Sequence, residues 1–177
     1  MVNQLFGMVI DLYNFDKNAV FESERLNFRG ISANDAKNLV RWRSREDVYQ
    51  HTPNPRPITL QEHNAWFIKY MENNQSYRAI FTDKETGIDI GMVGGENENG
   101  AFVISYYIGE PESRGKGFAS EAIRALVKFI QDTTNILTLH AYVQEDNKAS
   151  IACLTKVGFF QISTSEGTNL YAYEVEK

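Results

Sequence analysis

The pattern of apolar and polar positions predicts a chain that alternates between strands and helices. Seven segments have either polar–apolar alternation or the β-branched and aromatic content of strands: 25–29, 77–81, 88–93, 101–108, 136–143, 159–162 and 170–175. Polar turns at 83–87 and at Glu166-Gly167 predict hairpins. In 118–130 the apolar residues instead recur every three or four positions, which is typical of one helical face.

Capping signals predict the starts of two more helices. Ser32 and Asp35 have the spacing of a capping box, and Thr59 and Glu62 form a second one. The helix after Thr59 is predicted to bury a face made of four residues: Trp66, Phe67, Tyr70 and Met71. Of these, Trp66 and Phe67 are expected in the core, together with Trp42 of the preceding helix.

Two other segments have clear local signals. Three prolines within 52–57 fix the backbone and remove donors, so this segment is predicted to be a loop. A helix is predicted over 148–157, with Gly158 as the residue that ends it. Cys153 lies among apolar residues of that helix and is expected in the core.

The order of elements predicts a mixed α/β fold. The strand–helix–strand unit over 101–143 would be parallel and right-handed, while the hairpins on both sides are antiparallel. The sheet is therefore mostly antiparallel with flanking helices. We expect a single domain over 21–177, because 177 residues suit one core. Residues 1–20 have no clear pattern and form an N-terminal extension, either an extra strand or a mobile arm.

Composition and charge limit the kinds of partner and the location that we expect. The formal net charge is −5, so nucleic acids and anionic membranes are not expected as partners. No apolar run is long enough to span a bilayer, and no basic segment precedes the N-terminal apolar residues, so we expect a cytoplasmic protein. The single cysteine suits a reducing compartment. The histidines lack metal-ligand spacing, so no metal is expected.

One segment carries the chemistry. Between the strand over 101–108 and the helix over 118–130 lies a turn with Gly115 and Gly117, flanked by Arg114 and Lys116. Glycines let the backbone approach a ligand, and the following helix start offers free N–H groups, so the turn can cradle a phosphate. The Walker pattern is absent, and a dinucleotide fingerprint would need a glycine at Ser120.

Two motifs carry a family resemblance. The turn reads Arg114-x-x-Gly117-x-Ala119, and the later helix begins with Asn147-Lys148-Ala149-Ser150 and ends in Lys156-Val157-Gly158-Phe159. In this order they resemble the coenzyme A-binding regions of the GNAT N-acetyltransferases, over about Arg25 to the C-terminus. The segments after Arg41 and Ile58 resemble the Rim-like and amino-sugar branches.

The resemblance implies a GNAT fold whose sheet splays between the fourth and fifth strands, where the pantetheine arm of acetyl-CoA would lie. It implies an enzyme that moves acetyl directly to a primary amine, without an acyl-enzyme. The residues implied to bind the cofactor are Tyr107, Ile108, Arg114, Gly115, Lys116, Gly117, Phe118, Ala119, Ser120, Asn147 and Ser150. Asn147 also suits a plain helix cap, and the two roles are compatible.

The catalytic residues stay open. Many family members have a tyrosine as general acid seven residues after the asparagine, and here that position is Leu154. Some members have a glutamate in the fourth strand, where this chain has Val103. Glu96 and His63 are candidates for the base, with His51 as another.

The acceptor and the alternatives also stay open. The acceptor would be an amino sugar, a protein N-terminus or a small amine. Arg41, Arg43 and Arg45 would either contact an anionic acceptor or solvate a helix end. The family resemblance also allows a homodimer. A non-catalytic acyl-CoA-binding regulatory module is the main alternative, and another nucleotide-binding enzyme is a third.

Overall fold

The computed structural model describes residues 14–176, which form one eight-stranded sheet with helices on both faces. The strands are β1 Val20–Glu22, β2 Leu26–Gly30, β3 Ser76–Asp83, β4 Asp89–Glu98, β5 Ala101–Ile108, β6 Thr138–Gln144, β7 Phe160–Ser165 and β8 Thr168–Glu174. The helices are α1 Ala36–Arg43, α2 Glu46–Tyr49, α3 Leu60–Glu72, α4 Phe118–Thr133 and α5 Lys148–Val157. Short 3₁₀ turns at Ala33–Asp35 and Pro111–Ser113 precede α1 and α4.

The sheet is antiparallel except at one place. Its order is β1-β2-β3-β4-β5-β6-β8-β7, and only β5 and β6 are parallel. These two strands pair at Phe102 with Leu139 and at Val103 with His140, and their pairing ends there. The predicted mixed fold is confirmed, and the fourth and fifth predicted strands, where a splay was expected, are β5 and β6.

Each face of the sheet has its own core. The larger one lies under α4, whose Ile123, Leu126 and Ile130 are fully buried. The smaller one lies under α1 and α3 and centres on Trp42, with Leu39, Tyr70, Ile80 and Met92 around it. Neighbouring residues of β5 therefore point to different cores, with Tyr106 against the first and Tyr107 against the second.

The local signals predicted most elements closely. The bounds of β5 and α5 are those expected from the sequence, and Gly158 ends α5 with a left-handed backbone. The structure adds β1 and α2, which were not predicted because three or four residues are too short for a periodic pattern. Residues 1–13 of the expected N-terminal extension lie outside the described residues, while Phe15 is buried in the larger core.

The predicted buried face of α3 was partly wrong. The helix buries His63 and Tyr70, with Phe67 half-buried, whereas Trp66 is 37% exposed and Met71 is 45% exposed. Helical spacing shows which residues share a face but not how far the neighbouring elements cover it. The start of this helix is as predicted: the Thr59 hydroxyl accepts from the Glu62 N–H at 3.1 Å, and the Glu62 carboxylate accepts from the Thr59 N–H at 2.8 Å.

Trp42 sits against a glycine at the end of β5. A Cβ atom at Gly109 would lie 2.2 Å from the Trp42 ring, which no side chain tolerates without movement. The indole N–H donates to the Glu110 carboxylate at 2.8 Å, so the ring is fixed by both shape and hydrogen bonding. The Tyr107 ring meets it edge-on, with centroids 6.3 Å apart. Packing at Gly109 thus sets the position of α1 relative to β5.

We expect Gly109→Ala to destabilise the protein by about 1–3 kcal/mol, because the methyl group must displace a buried ring. Ser105→Ala, an exposed position on the same strand, is the control and should change the free energy of unfolding by less than about 0.5 kcal/mol. Urea denaturation of the three proteins measures the difference. Equal stability of the two variants would contradict this packing constraint.

Candidate active site

A cleft of about 1270 Å³ opens where β5 and β6 part. One wall carries Ile104 to Ile108 of β5, and the other carries Ala141 to Val143 of β6 together with the first turns of α5. The cleft continues past α4 at one end and past α1, α3 and the proline-rich loop at the other. Two ligands entering from these ends would therefore meet beside β5.

The turn before α4 has the backbone of an anion cradle. Gly115 and Gly117 both have positive φ, 72° and 81°, a conformation in which glycine avoids the cost borne by other residues. Gly117 is the N-cap of α4, so the first N–H groups of the helix, beginning at Phe118, have no partner within it. These amides and the positive end of the helix dipole face the cleft, where Ala119 also lies.

Contacts from Arg25, which the sequence did not predict, hold the cradle in place. Arg25 donates to the Lys116 carbonyl at 3.0 Å and pairs with Glu121 of α4 at 2.7 Å. Its guanidinium also lies 4.4 Å from the centre of the Phe118 ring. The Ser23 hydroxyl and the Arg25 N–H donate to the same Glu121 carboxylate. The turn between β1 and β2 thus holds the first turn of α4 in place.

The basic residues of the turn have different roles. Arg114 donates to the Ile108 carbonyl at 3.0 Å and pairs with Asp47 of α2 at 2.6 Å, so it ties the cradle to the other end of the cleft. The hydrogen bond from Arg45 and, next in size, the one from Arg114 hold the pKa of Asp47 well below its usual range. Lys116 is exposed and does not line the cleft.

The opposite wall presents polar groups from the start of α5. The Asn147 carbonyl oxygen accepts from the Ser150 N–H at 3.1 Å, so Asn147 is the helix cap, and its NH₂ group makes no hydrogen bond within 14–176. The Ser150 hydroxyl is bonded to the hydroxyl of Tyr106 from β5. Burial raises the pKa of Tyr106 well above its usual value, so the phenol stays protonated. Sequence reasoning missed Tyr106, since nothing local distinguishes it from Tyr107.

Cys153 also borders the cleft, one turn after Ser150. It is partly buried against the larger core, so the expectation of a core cysteine holds for only part of its side chain. Burial raises the pKa of its thiol, which is therefore neutral at physiological pH and a poor nucleophile.

The candidate bases occupy different places. Glu96 faces Arg78 at 3.4 Å and is not among the residues that line the cleft. His63 lines the cleft, is 4% exposed, and its Nε2 has no hydrogen-bond partner in the described part of the chain. Burial lowers the pKa of His63, with a smaller opposing effect from Asp35, so the ring is neutral at pH 7.

His51 bridges the two sides of the cleft. Its Nδ1 lies 3.0 Å from the Gln144 side-chain oxygen at the end of β6, and 3.7 Å from the Asp146 carboxylate. The residue precedes the proline-rich segment 52–57, which forms a loop as predicted. This contact is how the loop on the α1 side reaches the far strand.

Over residues 14–176 no group of three or more histidine, cysteine, aspartate or glutamate side chains is arranged to hold a metal ion. In the same part of the chain, no helix is both long and apolar enough to cross a membrane.

A family comparison agrees with this geometry. The model of the "Acetyltransferase (GNAT) domain" matches residues 25–160, which include both walls of the cleft. The chain belongs to the GNAT family. As a member it is an acetyl-CoA-dependent acetyltransferase, and the family predicted from the two motifs is confirmed.

Two curated proteins are similar to most of the chain. An uncharacterized N-acetyltransferase p20 from Bacillus licheniformis is 31% identical over 144 residues, which are 77% of this chain and 80% of that protein. The uncharacterized protein MJ1062 from Methanocaldococcus jannaschii is 25% identical over 97% of this chain, which corresponds to only 35% of the length of that protein.

Solved acetyltransferase structures share the fold. A spermidine N-acetyltransferase from Vibrio cholerae, in complex with CoA and spermine, has a TM-score of 0.76 at 16% identity and covers 86% of this chain and 97% of its own. A ribosomal-protein-S5-alanine acetyltransferase from Vibrio fischeri has a TM-score of 0.73 at 19% identity, with 89% and 97% covered.

Ten of the eleven residues predicted to bind the cofactor line this one cleft, and Lys116 is the exception. All ten come from two segments, 107–120 and 147–150, which are 27 residues apart at their nearest, Ser120 and Asn147. The fold brings them together because β5 and β6 are adjacent but unpaired at this level. The two motif segments of this GNAT domain therefore line one cleft, and their role in binding the cofactor stays a prediction.

We expect Gly117→Glu to weaken binding of coenzyme A at least about tenfold, or 1.4 kcal/mol. The substitution adds a side chain at positive φ and a negative charge at the helix start. Gly87→Glu is a matched control, because Gly87 also has positive φ, 71°, but lies in an exposed turn with open space around it. Calorimetry measures both affinities, and similar losses in the two variants would contradict the cradle.

Proposed function

We propose that this GNAT enzyme transfers the acetyl group of acetyl-CoA directly to a primary amine, by way of a complex that holds both substrates. The observation that carries the proposal is the continuous cleft, which runs from the Gly117 cradle past β5 to the α1–α3 side. A thioester lying along β5 would face an amine arriving from the other end. Spermidine and a ribosomal-protein alanine are named for two structural neighbours, and both present amines.

The same geometry supports a proposal for the cofactor-binding residues. The amides of the turn from Gly115 to Ala119 would hold the pyrophosphate. The backbone of Tyr107 and Ile108, which has no β6 partner at this level, would bond the pantetheine arm. Asn147 has its NH₂ group available for the same arm while its oxygen caps α5.

His63 is the residue we propose as the proton acceptor. As the amine nitrogen bonds to the thioester carbonyl carbon, its N–H becomes acidic, so a neutral imidazole of low pKa is basic enough to take that proton. The unpartnered Nε2 in the cleft wall has the required free lone pair in one tautomer. Glu96 is less suitable, because Arg78 faces it and it lies outside the cleft lining.

Tyr106 is the residue we propose as the donor to the leaving thiolate. Leu154 stands where many family members have a tyrosine, and the Tyr106 hydroxyl reaches the same helix one turn earlier, at Ser150. Because burial raises its pKa, the phenol keeps its proton and would act by donating a hydrogen bond to the sulfur. As the C–S bond breaks, this hydrogen bond would stabilise the thiolate, which an ordinary thiol pKa of about 8.5 allows to leave as an anion.

Two wider proposals accompany this function. We propose that 21–177 form one catalytic domain, and that residues before it are an extension whose end packs on the core through Phe15. We also propose a cytoplasmic location, because the reaction consumes acetyl-CoA and the lone Cys153 is unpaired.

The direct test is release of free thiol from acetyl-CoA in the presence of amino sugars, peptide N-termini and polyamines. We expect turnover with one acceptor class and its loss in Gly117→Glu, with activity kept in Gly87→Glu. Binding of acetyl-CoA without turnover on any amine would count against the proposal and favour a regulatory acyl-CoA-binding module.

The proposed base makes a separate prediction. His63 must be neutral to act, so kcat should fall as the pH drops through a pKa below 6.5. We expect His63→Gln to lower kcat by about 100-fold or more and to remove this acidic limb. His51→Gln serves as control, since His51 lies in the same cleft but is bonded to Gln144. An unchanged acidic limb in His63→Gln would exclude the histidine as base.

A further inference from the structure

The end of the cleft between α1 and α3 has a cationic residue without a counter-ion. Arg43 of α1 donates to the Thr52 hydroxyl at 2.9 Å and to the Asn54 carbonyl at 3.2 Å. A weaker bond, at 3.5 Å, reaches the Arg56 carbonyl. Among residues 14–176 no carboxylate lies within ion-pair distance of its guanidinium. Its contacts therefore orient the charge without neutralising it.

A second arginine faces the same part of the cleft. Arg78 projects from β3 and its side chain is only 13% exposed. Its guanidinium packs against the rings of Trp66 and Tyr70, 5.4 and 5.9 Å from their centres. Its one carboxylate contact within residues 14–176, to Glu96, is 3.4 Å long, and the Glu96 side chain is 41% exposed. Such a pair compensates the charge weakly.

The other carboxylates that line the cleft are either paired with other arginines or distant from Tyr107. Asp47 pairs with two arginines, and Glu62 pairs with Arg56 while capping α3. Glu98 lies six residues beyond the β4 position that pairs with Tyr107, which is about 20 Å along the strand. The field near Tyr107 is therefore set by Arg43 and Arg78.

Tyr107 lines the cleft together with the two arginines. Both guanidiniums favour the ionised form of its phenol, although burial has the larger effect and raises its pKa. The hydroxyl itself makes no hydrogen bond to the described residues. His63, with its unpartnered and buried Nε2, lines the same part of the cleft. Two cations, one hydroxyl and one imidazole thus have unused bonding capacity facing one space.

We propose that the acceptor carries an anionic group, a phosphate or a carboxylate, which Arg43, Arg78 and the Tyr107 hydroxyl bind. This inference rests on the proposed amine acetylation and names its substrate class. Guanidinium groups form paired hydrogen bonds with such oxyanions, and partial burial strengthens them. Trp66, exposed at the rim, offers a flat apolar surface beside the charge. The arginines would repel a polyamine, so we expect a polyamine to bind weakly here.

Four acceptors test the proposal. Glucosamine, glucosamine 6-phosphate and glucosaminuronic acid share one ring and one amine, and differ at the sixth carbon by a hydroxyl, a phosphate or a carboxylate. Spermidine is the cationic comparison. Acetyl transfer gives KM and kcat for each, and calorimetry on the protein saturated with coenzyme A gives binding without turnover.

We expect at least one anionic sugar to bind at least about tenfold more tightly than glucosamine, and the phosphate and carboxylate arms show which group is used. Arg43→Met should remove that advantage while changing the affinity for coenzyme A less than twofold. Arg43→Lys should restore part of it. Arg124→Met, an exposed arginine outside the cleft, removes the same charge and should leave the preference intact.

Three results would overturn the proposal. The first is that glucosamine or spermidine binds as tightly as the anionic sugars or more tightly, and the second is that Arg43→Met weakens binding of all acceptors equally. The third is that neither anionic sugar binds. Circular dichroism verifies that each variant is folded. Selective binding of an anionic sugar without acetyl transfer would support the anion site and would count instead against the proposed amine acetylation.

Discussion

The parting of β5 from β6 after Val103 is the constraint on which the site depends. A parallel pair would normally continue its ladder, and here it stops after two residue pairs. The backbone groups of β5 beyond that point have no strand partner on this side, and buried groups of this kind need a partner to avoid a large cost. A ligand that lies along β5 in an extended form supplies the hydrogen-bond partners that a paired strand would have supplied.

The rest of the molecule keeps that opening from closing. On one face, Trp42 presses against Gly109 and fixes α1 beside the end of β5. On the other, the hydroxyl contact between Tyr106 and Ser150 sets the start of α5 opposite the same strand. Each side of the sheet has its own core, so α1 and α5 are held near β5 by separate sets of contacts.

The sequence predicted those parts of the structure whose causes are local. The glycines before α4 and the asparagine before α5 act on their own backbone, so a short motif is enough to find them. Arg25 holds the cradle through Glu121, which is 96 residues away, and no local pattern reports such a contact. The depth of Trp66 was misjudged for a related reason, since the exposure of a helical residue depends on elements that are distant in the chain. The imidazole of His63 was named, yet its missing partner is visible only in three dimensions.

The contacts of one residue, Arg114, connect the two ends of the cleft. Arg114 binds the Ile108 carbonyl beside the cradle and the Asp47 carboxylate of α2 on the acceptor side. An anion that competes for this guanidinium weakens its hold on α2. If this change alters binding on the acceptor side, the acceptor alters the affinity of the cradle by the same factor, because a coupling between two sites is reciprocal. Arg114 is thus the residue that connects the two ends of the cleft.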